Sequence, residues 1–352
     1  MHITGMIAGE VKYPRAIHIY RLTMPLDYIR KNTRHTAWWV DAQTLLNAEK
    51  SKVEEITKSD IIVLGRPIAK DYRAAYNYIE LLRSKGAKIV YETDDDLTET
   101  YRDISGEAGA TCLPYLPSVD ALTVTTEALK THLAQYTEKP IYVVNNYIDH
   151  KMFRKVLTGY KRKNTGTTNI MLVGTATHGS DWELAYMAIS KILKERSDVK
   201  LLVGGFHPNY IPNAEQVEFL PWVSYVRYPT LLAEADIVVA AIDPEDKFNH
   251  SKSAVKAMEA WAAVRKIGNT IGGAAVVATD SVVYNGVVKH MKNGIIAQHD
   301  VDAYYNGIKL LLDDLFLRKE IQRRGYLDGI KNHSIMPGYR KWVSAYTNIL
   351  RS

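Results

Sequence analysis

Short β-branched runs, each followed by a polar or helical stretch, recur along almost the whole of this 352-residue chain and narrow its possible folds more than any other feature. In the first half they lie at Ile3–Ala8, Thr36–Val40, Asp60–Leu64, Lys88–Tyr91, Ala121–Thr125 and Ile141–Val144, with clear helical periods at Lys70–Ser84 and Glu127–Ala134. The second half repeats the style, with runs at Ile170–Val173, Lys200–Val203, Ile237–Ala241, Ala274–Ala278 and Gly294–Ala297. Helices are expected there at Asp181–Glu195, Lys252–Ala263 and Ala303–Arg324. Short, fully apolar runs suit strands of a parallel sheet, whose two faces are both covered by crossover helices. Strand and helix in alternation predict an α/β doubly wound sheet. Two such halves predict two Rossmann-like domains, in keeping with a prior of roughly 150 residues per domain.

Charge marks the expected boundary. Formal net charge is +6, but residues 1–150 carry −2 and residues 169–352 only +2. Residues 151–168 carry Lys151, Arg154, Lys155, Lys161, Arg162 and Lys163 with no acid, a net of +6. This stretch lacks an apolar period and ends in Asn164-Thr165-Gly166-Thr167-Thr168, the composition of an exposed linker. The division read from the sequence is a first domain at 1–150, a basic linker at 151–168 and a second domain at 169–335. A terminal helix at 336–352 follows, amphipathic through Trp342, Val343, Tyr346, Ile349 and Leu350.

Hydrophobic residues make up 46% of the chain and charged residues 24%, which excludes a disordered polymer. Cys112 is the only cysteine, so a disulfide scaffold and a cysteine-based metal site are excluded. No 18-residue apolar run is present and the start lacks a signal pattern, so an intracellular, cytoplasmic setting is expected.

Three segments carry chemistry. Gly174-Thr175-Ala176-Thr177-His178-Gly179-Ser180-Asp181 follows a strand and opens a helix, the arrangement in which backbone N–H groups and a positive helix end meet an anion. The spacing is neither Gly-x-Gly-x-x-Gly nor a Walker loop, and Ser180 or Asp181 as a simple helix cap explains the same residues. In the second, Lys252, Lys256 and Glu259 are spaced i, i+4, i+7 on an expected helix start, beside Ser251 and Ser253. Cations there suit a diphosphate and the carboxylate suits sugar hydroxyls; a solvated Lys–Glu face is the other reading. In the third, Asp94, Asp95 and Asp96 end a strand and suit a metal, hydroxyl groups or a helix cap.

Together these segments resemble the GT-B glycosyltransferases, specifically the family 4-like group of bacteria and phages. The likeness runs through Arg66-Pro67, Gly86 to Leu97, Asp120 to Glu127 and Asn145 to Asp149. It continues through Gly174 to His178, Ser251 to Glu259, Tyr284, and Lys292 to Ile296. The resemblance implies two Rossmann-like domains facing a cleft, with the C-terminal helix crossing back to the first. It implies a UDP- or GDP-sugar on the second domain, with Gly174 and Thr175 at the diphosphate, His178 nearby, and Trp222 and Val223 bordering the base. Lys252, Ser253 and Lys256 would hold phosphates and Glu259 the ribose. Arg21, Arg66, Asp94, Asp95 and Asp96 would lie on the acceptor side, and no metal or other cofactor would be needed. Two departures stand out. Ser251 occupies the position eight before Glu259 where the family carries a glutamate, which leaves the sugar and the retaining outcome open. Val264–Gly273 is longer than the usual turn at that point.

The expected function is transfer of a hexose to a hydroxyl, with Lys252 and Lys256 stabilising the leaving diphosphate and Asp95 orienting the acceptor or taking its proton. The acceptor stays open between a glycan, a lipid-linked sugar at an anionic surface touched by 151–163, and hydroxymethylated DNA bases. A non-catalytic nucleotide-sugar-binding protein is the remaining alternative.

Overall fold

The computed structural model describes residues 1–7, 18–41, 54–66, 72–98, 111–162, 166–267 and 269–352. Ala8, Pro67, Lys70 and Lys163 lie outside them, as do Asn164 and Thr165. The chain divides into two compact units. The first comprises Met1–Tyr147, Ser251–Ser253 and Ile335–Ser352; the second comprises Ile148–His250 and Ala254–Ser334.

The first unit begins with β1 (His2–Ile7), a π-helical turn at Ile19–Thr23 that runs into α1 (Met24–Asn32), and β2 (Thr36–Asp41). It continues with β3 (Ile61–Gly65), α2 (Tyr72–Ser84), β4 (Lys88–Thr93), β5 (Ala121–Val124), α3 (Glu127–Leu133) and β6 (Ile141–Val143). These strands form an all-parallel sheet in the order β2-β1-β3-β4-β5-β6. Every residue of β3 and β5 is buried, as crossover packing on both faces requires. Gly5 is what lets the π-turn lie against β1, since a Cβ there would fall 2.3 Å from Leu22 Cδ2.

The second unit opens with α4 (His150–Leu157), capped by Asp149, whose carboxylate accepts from Met152 N at 2.9 Å. Then come β7 (Thr168–Gly174), α5 (Glu183–Glu195), β8 (Val199–Gly205), β9 (Val217–Leu220), α6 (Tyr228–Leu232) and β10 (Ile237–Ala240). They are followed by α7 (Lys247–His250), α8 (Val255–Ala262), β11 (Arg265–Ile267), β12 (Thr270–Gly272), β13 (Ala275–Thr279) and β14 (Ile295–Ala297). Helices α9 (Val301–Asp313) and α10 (Leu315–Asn332) complete the unit. The main sheet is again parallel, in the order β14-β13-β10-β7-β8-β9, and β11 and β12 form a separate antiparallel hairpin. This order reverses between β7 and β10, and open parallel sheets bind ligands outside the strand ends at such a reversal. The last helix, α11 (Ile335–Arg351), belongs to the first unit, where it packs on α1 and places Gly338 against the Tyr147 ring.

Four expectations change. The segment read as a basic linker is helical over His150–Leu157 and buries Phe153 completely in the second unit. The helix expected over Ala303–Arg324 is two helices, because Asp314 turns out of the helical conformation and caps α10, accepting from Leu317 N at 2.8 Å. The helix expected from Lys252 starts at Val255. The long Val264–Gly273 segment is the β11–β12 hairpin. No helix among the described residues is long and apolar enough to cross a membrane.

Candidate active site

In the second unit, β7 and β8 end side by side, with Gly174 opposite Gly205 in the register. Gly174 has no room for a side chain: a Cβ would sit 2.8 Å from His178 Cδ2 and 3.0 Å from the Trp182 ring. Gly205 has φ +87°, a left-handed conformation that favours glycine, and a Cβ there would meet Gly174 O at 2.6 Å. Backbone therefore lines the strand ends. Thr175 Oγ1 and Thr177 Oγ1 lie 2.7 Å apart above them. Trp222, 58% exposed, lies 3.3 Å from the position of a Gly205 Cβ, so its ring borders the same edge. Val223 turns away to line a separate cavity of about 230 Å³ with Leu202, Leu220 and Leu231.

One residue that the sequence reading assigned only as a helix cap organises this edge. Asp181 is 1% exposed, and its Oδ2 lies 2.9 Å from His178 Nδ1. Its Oδ1 accepts from Asp243 N at 2.9 Å and from Asn249 Nδ2 at 2.7 Å. His178 also stacks parallel to Trp182, with centroids 6.3 Å apart. The loops after β7 and β10 are thus laced together at the point where strand order reverses, and the imidazole is held in one orientation. A carboxylate on one imidazole nitrogen fixes the tautomer, leaving the other nitrogen's role defined.

Lys256 and Glu259 lie on α8, but not on a solvated face. Glu259 is 4% exposed and accepts from Tyr228 Oη at 3.2 Å; Lys256 Nζ lies 3.6 Å from the same Glu259 oxygen. Lys256 also donates to Tyr228 Oη at 3.4 Å and sits 5.7 Å above its ring. Burial, reinforced by Glu259, pushes the Tyr228 phenol well up, so it remains a donor. Tyr228 left no periodic signal in the sequence.

Ser251, Lys252 and Ser253 group with the first unit rather than with α8. Thr126 Oγ1 donates to Ser251 O at 3.2 Å, and Asn146 Nδ2 donates to Ser253 Oγ at 2.8 Å. Lys252 precedes the helix, so the face expected to carry Lys252, Lys256 and Glu259 together does not form. These long-range bonds draw the segment out of the helix.

At the carboxyl edge of the first sheet, Arg66 follows β3 with φ +65°, a strained conformation for a non-glycine residue. Its Nη2 reaches Asp94 Oδ1 at 2.7 Å and Asp95 Oδ2 at 2.5 Å. Burial pushes the Asp95 carboxyl up, Asp94 adds to this, and Arg66 and Lys252 hold it back. Asp96 points elsewhere: it accepts from Thr98 N at 3.0 Å and lies 3.0 Å from His132 Nε2. Asp94 and Asp95 converge on Arg66 while Asp96 turns away, and no group of three His, Cys, Asp or Glu side chains among the described residues is arranged for a metal ion.

Arg21 is not on this rim. It is 2% exposed, and its Nε donates to Glu92 Oε1 at 2.6 Å. Its Nη1 donates to Val144 O at 2.6 Å and Asn146 Oδ1 at 3.0 Å, and its guanidinium lies 4.5 Å from the Trp342 ring centre. An arginine enclosed this way cannot meet an acceptor directly, so the expected acceptor contact is replaced by a core ion pair. Burial raises the pKa of Glu92 to about 7, against the downward pull of Arg21 and Thr123. Glu92 and Asn146 carried a signal that could have been read: polar residues inside or just beyond strands buried on both faces.

Residues 167–314 match the family model described as glycosyl transferases group 1. A comparison with curated proteins gives no match. Among solved structures, HepE from Anabaena, crystallised in complex with UDP and glucose, is similar at a TM-score of 0.65 and 13% identity, over 99% of this chain and 100% of its own. A glycosyltransferase from Rickettsia africae gives 0.64 and 16%, over 100% and 99%. Sucrose-phosphate synthase from Thermosynechococcus elongatus gives 0.62 and 9%, over 99% of each. The chain therefore carries a glycosyl transferases group 1 domain within the GT-B fold. It is a glycosyltransferase.

Proposed function

We propose that this enzyme moves a hexose from a UDP- or GDP-sugar to a hydroxyl acceptor, with retention and without a metal. The observation that carries the reading is the carboxyl edge of the second sheet. There, glycine backbone, two threonine hydroxyls and a carboxylate-anchored histidine meet where strand order reverses, inside the region matched as glycosyl transferases group 1. Such an edge suits a diphosphate. The UDP found with HepE supports a uridine donor of the same kind.

In the reaction the bond from sugar C1 to the diphosphate oxygen breaks, and negative charge builds on the leaving diphosphate. Backbone N–H groups at Gly174–Thr175 and the His178 imidazole, held by Asp181, would stabilise that charge without reorganising. Glu259 would reach the donor's hydroxyls, and Lys256 would neutralise Glu259 or a phosphate. The acceptor oxygen bonds to C1 and its proton passes to a base, either Asp95 or the leaving phosphate. Arg66 and Lys252 would favour the carboxylate form of Asp95 against the upward push of burial and Asp94. The metal-free reading rests on the family resemblance and on the pairing of Asp94 and Asp95 with Arg66, with Asp96 turned away to His132.

The test is to follow nucleotide release from UDP-glucose and GDP-mannose by purified wild type, His178→Ala and Glu259→Gln, with melting temperatures recorded to confirm folding. Wild type should release one nucleotide class, and each variant should do so at least about tenfold more slowly. Folded variants as active as wild type would show that the site is elsewhere.

A further inference from the structure

The basic stretch and the inserted hairpin meet at one place. A cavity of about 260 Å³ in the second unit is lined by Arg154, Tyr160, Arg162, Arg265, Lys266 and Ile271, among others. Its cations come from the α4 region, source of the chain's charge excess, and from β11, part of the longer-than-usual Val264–Gly273 segment. The cavity lies at the amino end of the sheet. Asp236, immediately before β10, accepts from Arg162 Nη1 at 2.9 Å and Nη2 at 2.7 Å, and also pairs with Arg265. The strand β7 spans seven residues, so this end is about 20 Å from Gly174.

The charges do not cancel. Asp236 holds Arg162 and Arg265 in place, and Arg265 is fixed further by the carbonyls of Ala233 and Ala235. Glu234 takes the Tyr160 hydroxyl and lies 4.0 Å from Arg162 Nε. Arg154 and Lys266 form no ion pair among the described residues. Four cations therefore face two carboxylates, with Ile271 supplying an apolar wall beside them. A concave surface with surplus positive charge focuses its field on the space it encloses. Guanidinium forks already oriented by a carboxylate bind phosphate oxygens at little further entropic cost.

We propose that this cavity binds the phosphate of a small phosphorylated molecule, a phosphomonoester or a diphosphate, at a site separate from the sugar-nucleotide edge. Its volume admits such a group with little else attached. The outer cations, Arg154 and Lys266, would close on the anion, while Arg162 and Arg265 would form the fixed floor.

Calorimetric titration with inorganic pyrophosphate tests this at low ionic strength, on wild type, the Arg154→Gln/Lys266→Gln double variant and His178→Ala. Both substituted outer side chains are exposed, so the double variant should fold. Saturable binding should weaken at least about tenfold in the double variant and persist in His178→Ala. Equal affinity in wild type and double variant, or no saturable binding by wild type, would overturn the proposal. A titration with phosphatidylglycerol vesicles separates the sources of phosphate. Capture of wild type but not of the double variant, without binding of free pyrophosphate, would assign the cavity to a lipid headgroup and overturn the soluble ligand.

Discussion

Each unit carries candidate site residues at the carboxyl edge of a six-stranded parallel sheet, yet the two edges are built from opposite materials. In the second unit the edge is backbone: Gly174 and Gly205 clear the strand ends, and a buried carboxylate, Asp181, faces inward to hold His178 and two loops. In the first unit the edge is charge: Arg66 grips Asp94 and Asp95, and beneath them Arg21 and Glu92 form a sealed pair. Under the proposed function the difference would amount to a division of labour. An edge of N–H donors accepts an anion, whereas an edge of carboxylates cannot, but it can orient hydroxyl groups and take a proton.

The comparison breaks first at Arg21. Replacing it with Met should cost about 3–5 kcal/mol, since it leaves Glu92 buried without its partner. The cost should depend on pH. The folded-state pKa of Glu92, about 7, lies above its unfolded value, so its contribution to stability is complete at low pH and is lost as pH rises through 7. Without Arg21 that pKa climbs further, so the penalty should grow between pH 6 and pH 9. Denaturant melts at several pH values would show this, and a penalty that shrinks with rising pH would contradict the buried pair.

At the other edge, Gly174→Val should cut transfer by about a hundredfold, near 3 kcal/mol, because its side chain occupies the place of the His178 ring. Asp181→Asn keeps the shape but removes the charge that orients the imidazole. It should lower kcat/KM about tenfold and flatten the pH profile, with Tm lowered only slightly. An unchanged pH profile would assign Asp181 to loop packing alone. The smallest effect belongs to the charged edge: Asp95→Asn should lower kcat a few-fold while nucleotide-sugar affinity stays constant. A loss of donor affinity in that variant would erase the distinction between the edges.

Much of this architecture was legible because strands buried on both faces announce themselves locally. The twelve strands of the two parallel sheets include every run singled out as a strand, with Val217–Leu220 as β9 and small shifts at the ends. The two-sheet GT-B fold followed from those runs and the motif order. The break at Asp314 was not legible, since the buried positions of α9 and α10, such as Tyr304, Ile308, Leu311, Arg318, Gln322 and Gly325, keep a helical spacing across it. Nor was the separation of Lys252 from Lys256. It depends on bonds from Thr126 and Asn146, more than a hundred residues away in sequence. Arg21 and Arg66 looked alike as candidate acceptor contacts; burial alone distinguishes them, and no local pattern reports which arginine a carboxylate inside a strand will claim. The same limit applied to charge. Arg162 counted as an exposed linker cation until Asp236, 74 residues away in sequence, held it.

The central claim is that the backbone edge of the second unit holds the sugar-nucleotide. Its most direct test is calorimetric titration of wild type and His178→Ala with UDP-glucose and GDP-mannose, each protein shown to be folded by its melting curve. The account predicts saturable binding of one donor to wild type and affinity reduced at least about tenfold in the variant. Undiminished affinity in folded His178→Ala, or no binding of either donor by wild type, would contradict it.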